Sequence, residues 1–206
     1  MEKNLFVVIS GNIGVGKTEL VKKLNETIEG SIKFKEPVKQ NIYLEDFYRD
    51  TEKYAFIMQV YLLNARFRQH KQIQKEIEKN HNIKIMYLQD RSIYEDTIFI
   101  DALLELDKIQ LRDVKTYKDL FENMKESLKY PDVIVYLKTD PQICLERIKE
   151  RGRECEKNIL LEYLQKLQNH YDKLMNELSK YTRVIILDWT CFMDVSEVYK
   201  KIINID

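Results

Sequence analysis

The stretch Gly11-Asn12-Ile13-Gly14-Val15-Gly16-Lys17-Thr18 constrains this chain more than any other. It follows an apolar run, Leu5-Phe6-Val7-Val8-Ile9, and precedes a helical pattern through Leu20, Val21, Leu24 and Ile28. Strand, glycine loop, Lys-Thr and helix make a P-loop in its required context. Glycines let backbone N–H groups turn inward and approach phosphate oxygens with no Cβ in the way. The following helix adds partial positive charge at its N-terminus. Lys17 is then expected at the β- and γ-phosphates of ATP, and the Thr18 hydroxyl at Mg²⁺. A chance glycine turn is the competing explanation, and composition argues against it: of only five glycines, three sit in this loop.

The rest of the composition narrows the class. Thirty-four basic residues balance 34 acidic ones, so no global field points to nucleic acid or a membrane surface. The longest apolar runs fall far short of the roughly 20 residues that span a bilayer, and no signal peptide is expected because a strand begins almost at once. Cys144, Cys155 and Cys191 lack CxxC spacing and read as reduced thiols of a cytoplasmic protein. His70, His81 and His170 show no metal-ligand spacing.

Apolar runs alternate with helical patterns, without repeat or linker, which predicts one α/β domain over residues 1–206 with a parallel sheet. Expected strands are Leu5–Ile9, Ser31–Lys35, Ile83–Leu88, Val133–Leu137 and Val184–Leu187, the last two apolar enough to be covered on both faces. Expected helices are Lys17–Glu29, Tyr54–Asn80, Tyr94–Leu106, Val114–Leu128, Pro141–Glu150, Ile159–Leu178 and Val195–Ile203. Asp140-Pro141 reads as a helix start and Gly152 as a stop.

Ligands in such sheets bind beyond the carboxyl ends of the strands. Strand two ends in Glu36-Pro37-Val38 and strand three in Asp90-Arg91-Ser92, which sets two acids and an arginine at the crevice edge. Helix capping or solvated turn charge would explain the same residues, but less well beside a P-loop. Arg147, Arg151 and Arg153 gather at the end of a helix. They answer the helix dipole there, or close over phosphates as bidentate donors.

These motifs, in this order, resemble the deoxynucleoside kinase family. The resemblance runs from Leu5 to about Asp188 and includes Asn41-Ile42-Tyr43-Leu44, Phe47-Tyr48, Phe56-Ile57-Met58-Gln59, Asp90-Arg91-Ser92-Ile93-Tyr94-Glu95-Asp96 and Arg151-Gly152-Arg153. The Asn41-to-Tyr48 segment and the Glu95-Asp96 pair look closest to the bacterial deoxypurine-kinase branch. The resemblance implies a P-loop kinase with a five-stranded parallel sheet and an Arg-rich lid at about 147–157. It implies Asp90 as the base for the deoxyribose 5′-hydroxyl, Glu36 beside that hydroxyl and the metal, and Arg91 on the phosphates. Tyr48 and Glu156 would hold the sugar 3′-hydroxyl, and Gln59 would pair with the base. Arg66, two helical turns beyond Gln59, would read the base edge with Asp96. Arg147, Arg151 and Arg153 would cover the ATP phosphates. A homodimer is implied as well.

Taken one at a time, Gln59 reads as a solvated helix position and Arg66 and Asp96 as surface charges; their shared registration with the motif lifts them. Glu154 competes with Glu156. Phe192 is expected in the core, with stacking on adenine as the other reading. The apolar face of Val60, Leu63 and Phe67 suits core or interface. Asp90 is expected to work with an ordinary carboxylate pKa, and Arg66→Ala to change base preference with thermal stability retained. A thymidylate-type monophosphate kinase would need a basic acceptor site in place of the Tyr48, Gln59 and Glu156 set. A GTPase-like switch would need an Asn-Lys-x-Asp motif that the sequence lacks.

Overall fold

The computed structural model describes residues 4–36 and 41–203. Pro37 and Val38 of the second strand-end motif lie outside the described residues. Among the described residues five strands form one sheet in the order β2-β3-β1-β4-β5: β1 (Leu5–Gly11), β2 (Ser31–Phe34), β3 (Met86–Asp90), β4 (Val133–Lys138) and β5 (Arg183–Asp188). Every pairing is parallel. Among the described residues eight α-helices flank it: α1 (Lys17–Thr27), α2 (Leu44–Arg49), α3 (Thr51–Lys79), α4 (Asp96–Glu105), α5 (Leu111–Lys125), α6 (Pro141–Arg151), α7 (Leu161–Leu178) and α8 (Val195–Ile203). The expected α/β architecture and strand count hold.

All seven residues of β1 are buried, which its central place requires. Each buried Val, Leu or Ile there contributes about 1.5–3 kcal/mol relative to exposure. Leu20, Val21 and Leu24 of α1 and Tyr117 and Phe121 of α5 belong to the same core. β5 departs from expectation. It is an edge strand, half-buried through most of its length, with Ile186 exposed.

Register places the chemistry. Ile9 lies opposite Asp90 and Gly11 opposite Leu137, so β1 runs two residues beyond the expected end. The third strand was expected at Ile83–Leu88 and lies at Met86–Asp90. The α3 terminus explains the shift: the Asn80 carbonyl accepts from the Ile83 amide, and the chain leaves that turn before pairing begins. Asp90 is therefore the last residue of a buried strand. Helix ends follow capping chemistry. Asp50 accepts from the Lys53 amide and starts α3 three residues early, Asp140 accepts from the Gln142 amide at 2.7 Å, and Gly152 ends α6 at φ 66°. α2 was not expected; six residues carry too little periodicity to register.

Leu63 is fully buried, with Val60 and Phe67 packed against the same core, which assigns that face of α3 to the interior. The three cysteines are free. Among the described residues no helix is long and apolar enough to cross a membrane, and no group of three or more His, Cys, Asp or Glu side chains is gathered as a metal cluster.

Candidate active site

Beyond the carboxyl ends of β1 and β3 opens a cavity of about 600 Å³. Its P-loop end is lined by Ile13, Gly14, Gly16, Lys17 and Thr18, and its far end by Tyr48, Gln59, Arg66 and Glu156. Glu36, Asp90 and Arg91 line the middle. Residues remote in sequence thus share one chamber large enough for two small molecules.

The P-loop fits its surroundings closely. A Cβ on Gly14 would come within 2.5 Å of the Cys144 carbonyl, and φ there is +80°. Gly16 caps α1 in the left-handed region. Asn12 anchors the loop to α7, donating its amide to the Leu164 carbonyl at 2.8 Å. The Lys17 ammonium is buried and donates to the Gly11 and Asn12 carbonyls at 3.0 and 2.8 Å. Burial and the Arg91 guanidinium lower its pKa to about 8, against the opposing pull of Glu36, Asp90 and Glu95.

The Thr18 hydroxyl donates to Asp90 Oδ2 at 2.5 Å, while Asp90 Oδ1 is buried and unpartnered. Burial raises the Asp90 pKa and the Glu36 charge adds to it, with Lys17, Thr18 and Arg91 pulling the other way. The expectation of an ordinary carboxylate fails here, because Asp90 ends a buried strand. Burial alone would raise Glu36 too, but Arg91 and Arg66 outweigh it and hold that carboxyl at about 2. Glu36 Oε1 accepts from Arg66 Nη2 at 2.8 Å and from Arg91 Nε at 2.9 Å.

Arg66 is buried and bridges Glu36 to Asp96, to which its Nη1 donates. The surface-charge alternative for Arg66 and Asp96 is excluded. Asp96 is wholly buried behind Arg66 and is not among the cavity-lining residues. Burial pushes its carboxyl up to about 7, with Arg66 and Arg91 opposing. This overturns the expectation that Arg66→Ala leaves stability intact. Breaking a buried pair strands a charge at a cost of about 3–5 kcal/mol. Gln59 is buried too, and neither its amide oxygen nor its amide nitrogen has a partner. A buried orphan amide on a cavity wall is poised for a ligand.

Glu156, not Glu154, turns inward. It is buried on the cavity wall, whereas Glu154 is exposed and paired with Lys157. Arg151 and Arg153 both donate to Glu156, at 2.5 and 3.1 Å. Burial lifts the Tyr48 phenol well above its ordinary pKa, and Tyr163 and Glu156 add to the effect. Arg147 lines the same cavity as Arg151 and Arg153 but is bonded differently. Its guanidinium donates to the carbonyls of Val15, Trp189 and Thr190 and lies 4.4 Å from the Phe192 ring centroid. It joins the P-loop to the loop after β5. Phe192 is 65% exposed, against its expected place in the core, and lines the P-loop end of the cavity.

Phe99, Tyr163 and Tyr171 carried no sequence signal of their own, and Glu95 stood out only as half of the Glu95-Asp96 pair. Glu95, four residues after Arg91, was findable by spacing. Tyr171, eighty residues away, was not.

A parallel sheet with a P-loop, a buried lysine and threonine, and carboxylate and arginine beyond the next strand defines a P-loop phosphotransferase. The deoxynucleoside kinase family model matches residues 7–205, and the chain belongs to that family. It is an ATP-dependent enzyme that phosphorylates deoxynucleosides; the monophosphate-kinase alternative is not favoured. The deoxyadenosine kinase of Dictyostelium discoideum is 41% identical over 95% of this chain and 77% of its own. The deoxyadenosine/deoxycytidine kinase of Bacillus subtilis is 37% identical over 82% of this chain and 76% of its own. Deoxyadenosine kinase from M. mycoides, solved with bound dATP, superposes with a TM-score of 0.83 at 28% identity, over 96% of this chain and 98% of that one.

Proposed function

We propose that residues 1–206 form a single kinase domain whose cavity seats ATP at the P-loop and a deoxynucleoside at Gln59. The observation that carries this reading is the unpartnered Gln59 amide, buried in the same chamber as Lys17. The amide carries an acceptor oxygen and a donor NH2 group, which suit a base edge that offers a donor beside an acceptor. Deoxyadenosine, deoxyguanosine and deoxycytidine are the expected acceptors, by resemblance to relatives named for them.

Asp90 is the base for the 5′-hydroxyl, and Glu36 positions that hydroxyl. Arg91 and Lys17 neutralise charge on the transferring phosphoryl, which passes through a loose transition state. Tyr48 and Glu156 hold the sugar 3′-hydroxyl. Arg66, tensioned by Asp96, fixes the base edge. The backbone of residues 11–18 cradles the phosphates. Arg147, Arg151 and Arg153 form the lid at about 147–157 over the ATP phosphates, and Arg147 also braces the P-loop through the Val15 carbonyl.

The residues fit Mg²⁺. Thr18 Oγ1, on the cavity wall at the P-loop, is a hard oxygen donor, and Mg²⁺ takes one or two protein oxygens with substrate phosphates. When bound with ATP, the ion would supply charge neutralisation on the phosphates. A cytoplasmic homodimer is the working form by family resemblance.

Initial rates with ATP, Mg²⁺ and each of the four natural deoxynucleosides test the reading, with dTMP as a fifth acceptor. The expected result is turnover of deoxyadenosine, deoxyguanosine or deoxycytidine well above thymidine. Turnover of dTMP alone would strip Tyr48, Gln59 and Glu156 of their roles.

A further inference from the structure

Arg91 is held from more directions than a phosphate-binding arginine requires. Its backbone sits in the left-handed region at φ 64°, a conformation costly for a residue with a Cβ. Its amide donates to the Ile9 carbonyl at 3.1 Å, which ties it to β1. Its Nε is taken by Glu36, and its Nη2 donates to the Gly11 carbonyl at 3.2 Å. That carbonyl also accepts from Lys17, so both cations converge on one P-loop oxygen.

The remaining nitrogen, Nη1, donates to the Tyr171 hydroxyl, and the same hydroxyl donates to Glu95 Oε2 at 2.9 Å. Glu95 Oε2 is 3.4 Å from Arg91 Nη1, and Glu95 Oε1 accepts from the Ser92 amide at 3.0 Å. Tyr171 and Glu95 are both buried, and neither lines the cavity. The Tyr171 ring stacks on Tyr136 of β4 at 5.8 Å, which fixes where its hydroxyl points. Tyr171 stands on α7, the helix that follows the lid and also receives the Asn12 amide.

We propose that Tyr171 is a positioning residue: its hydroxyl, backed by Glu95, aims the Arg91 guanidinium at the phosphoryl in flight and ties that aim to α7. The proposal rests on the reading of Arg91 as a transfer residue. A guanidinium in a buried site gives its full stabilisation only when its direction is fixed before the reaction. A packing tyrosine would not need a hydroxyl shared between a cation and an anion. The structure supplies that hydroxyl where no substrate reaches it.

The test is a double-mutant cycle between Tyr171→Phe and Arg91→Lys, read as kcat and as KM for the deoxynucleoside. Tyr171→Phe keeps the ring stack and deletes only the hydroxyl. The expected result is a fall in kcat of about 10-fold, with KM changed less than about 2-fold, as befits an interaction made mainly in the transition state. In the Arg91→Lys background the same change is expected to cost nothing further. Glu95→Gln, which keeps the volume and one acceptor oxygen, is the second probe and is expected to lower kcat with KM steady. Unchanged kcat in Tyr171→Phe, or an equal loss in both backgrounds, would overturn the proposal while leaving Arg91 its role. Wild-type turnover in Arg91→Lys alone would remove Arg91 from transfer, and this proposal with it. If Tyr171→Phe fails to fold, Glu95→Gln decides: unchanged kcat in that variant overturns the relay.

Discussion

At the scale of the residue, the site works by burying charge and then balancing it. Lys17 is the clearest case, because burial and Arg91 bring its pKa to about 8. A group lowered in this way loses its proton as pH rises through the new value. The kcat/KM for ATP is therefore expected to fall above about pH 8 in the wild type, and Lys17→Met should abolish that limb along with most activity. Asp90 shifts upward, so its base form appears later than for a free carboxylate. Asp90→Asn should lower kcat by about 10²-fold or more, a loss within the range of general-base effects. Gln59 offers a sharper separation of binding from stability. Gln59→Leu removes two buried unpartnered atoms, so thermal stability should hold or rise. The kcat/KM for the preferred deoxynucleoside should fall by about 1–3 kcal/mol, roughly 5- to 150-fold, because the base is left without its partner. Equal losses across all four bases would remove Gln59 from base recognition. Arg66→Ala should shift base preference and also destabilise by about 3–5 kcal/mol, since Glu36 and Asp96 would lose a shared partner.

At the scale of the element, the P-loop and its helix were legible because their signal is local. Glycine spacing, Lys-Thr and the apolar run before them lie within fourteen residues. The structure adds what the loop packs against. Gly14 meets the Cys144 carbonyl of α6, so Gly14→Ala pays both positive φ and a backbone clash. A stability loss of at least about 1–3 kcal/mol is expected, with ATP binding weakened, as read by denaturant titration and nucleotide affinity. α3 shows the limit of periodicity. Its buried stripe carries Met58, Leu62 and Leu63 but also Gln59, Arg66 and His70. A polar residue on a buried face looks solvated in sequence until a neighbouring element supplies its partner. For Arg66 the partners come from the end of β2 and the start of α4. The three-residue shift of β3 has the same origin, since the turn closing α3 consumes residues that are apolar enough for a strand.

At the scale of the whole molecule, one buried imidazole couples stability to pH. His70 is fully buried, donates from Nε2 to the Lys129 carbonyl at 2.9 Å, and leaves Nδ1 unpartnered. Burial lowers its pKa from 6.5 to about 4, against the favourable Lys129 bond. The unfolded chain therefore binds this proton first as pH falls. The His70 contribution is whole above about pH 6.5 and is lost as pH falls toward 4, by up to about 3 kcal/mol. Asp96, raised to about 7, works in the opposite direction over much of that window. The measurement is thus the difference between wild type and His70→Gln in unfolding free energy at pH 7 and pH 5. The wild type should lose more than the variant on acidification. An equal loss in both would mean that His70 is protonated within the fold.

The sequence by itself determined the α/β class, the phosphate cradle and the order of motifs along the crevice. Those rest on glycine, on alternation of apolar runs and on residues adjacent in the chain. Only the tertiary structure decided how the charges are shared. Register sets Asp90 at the end of a strand, the return of α3 brings Arg66 to Glu36, and α7 carries Tyr171 to Arg91. It also tied Arg147, on the cavity wall, to three carbonyls and brought Phe192 out of the core. Burial, and with it every shifted pKa and every unpartnered atom, is a property of neighbours. In this chain those neighbours lie up to about 150 residues apart.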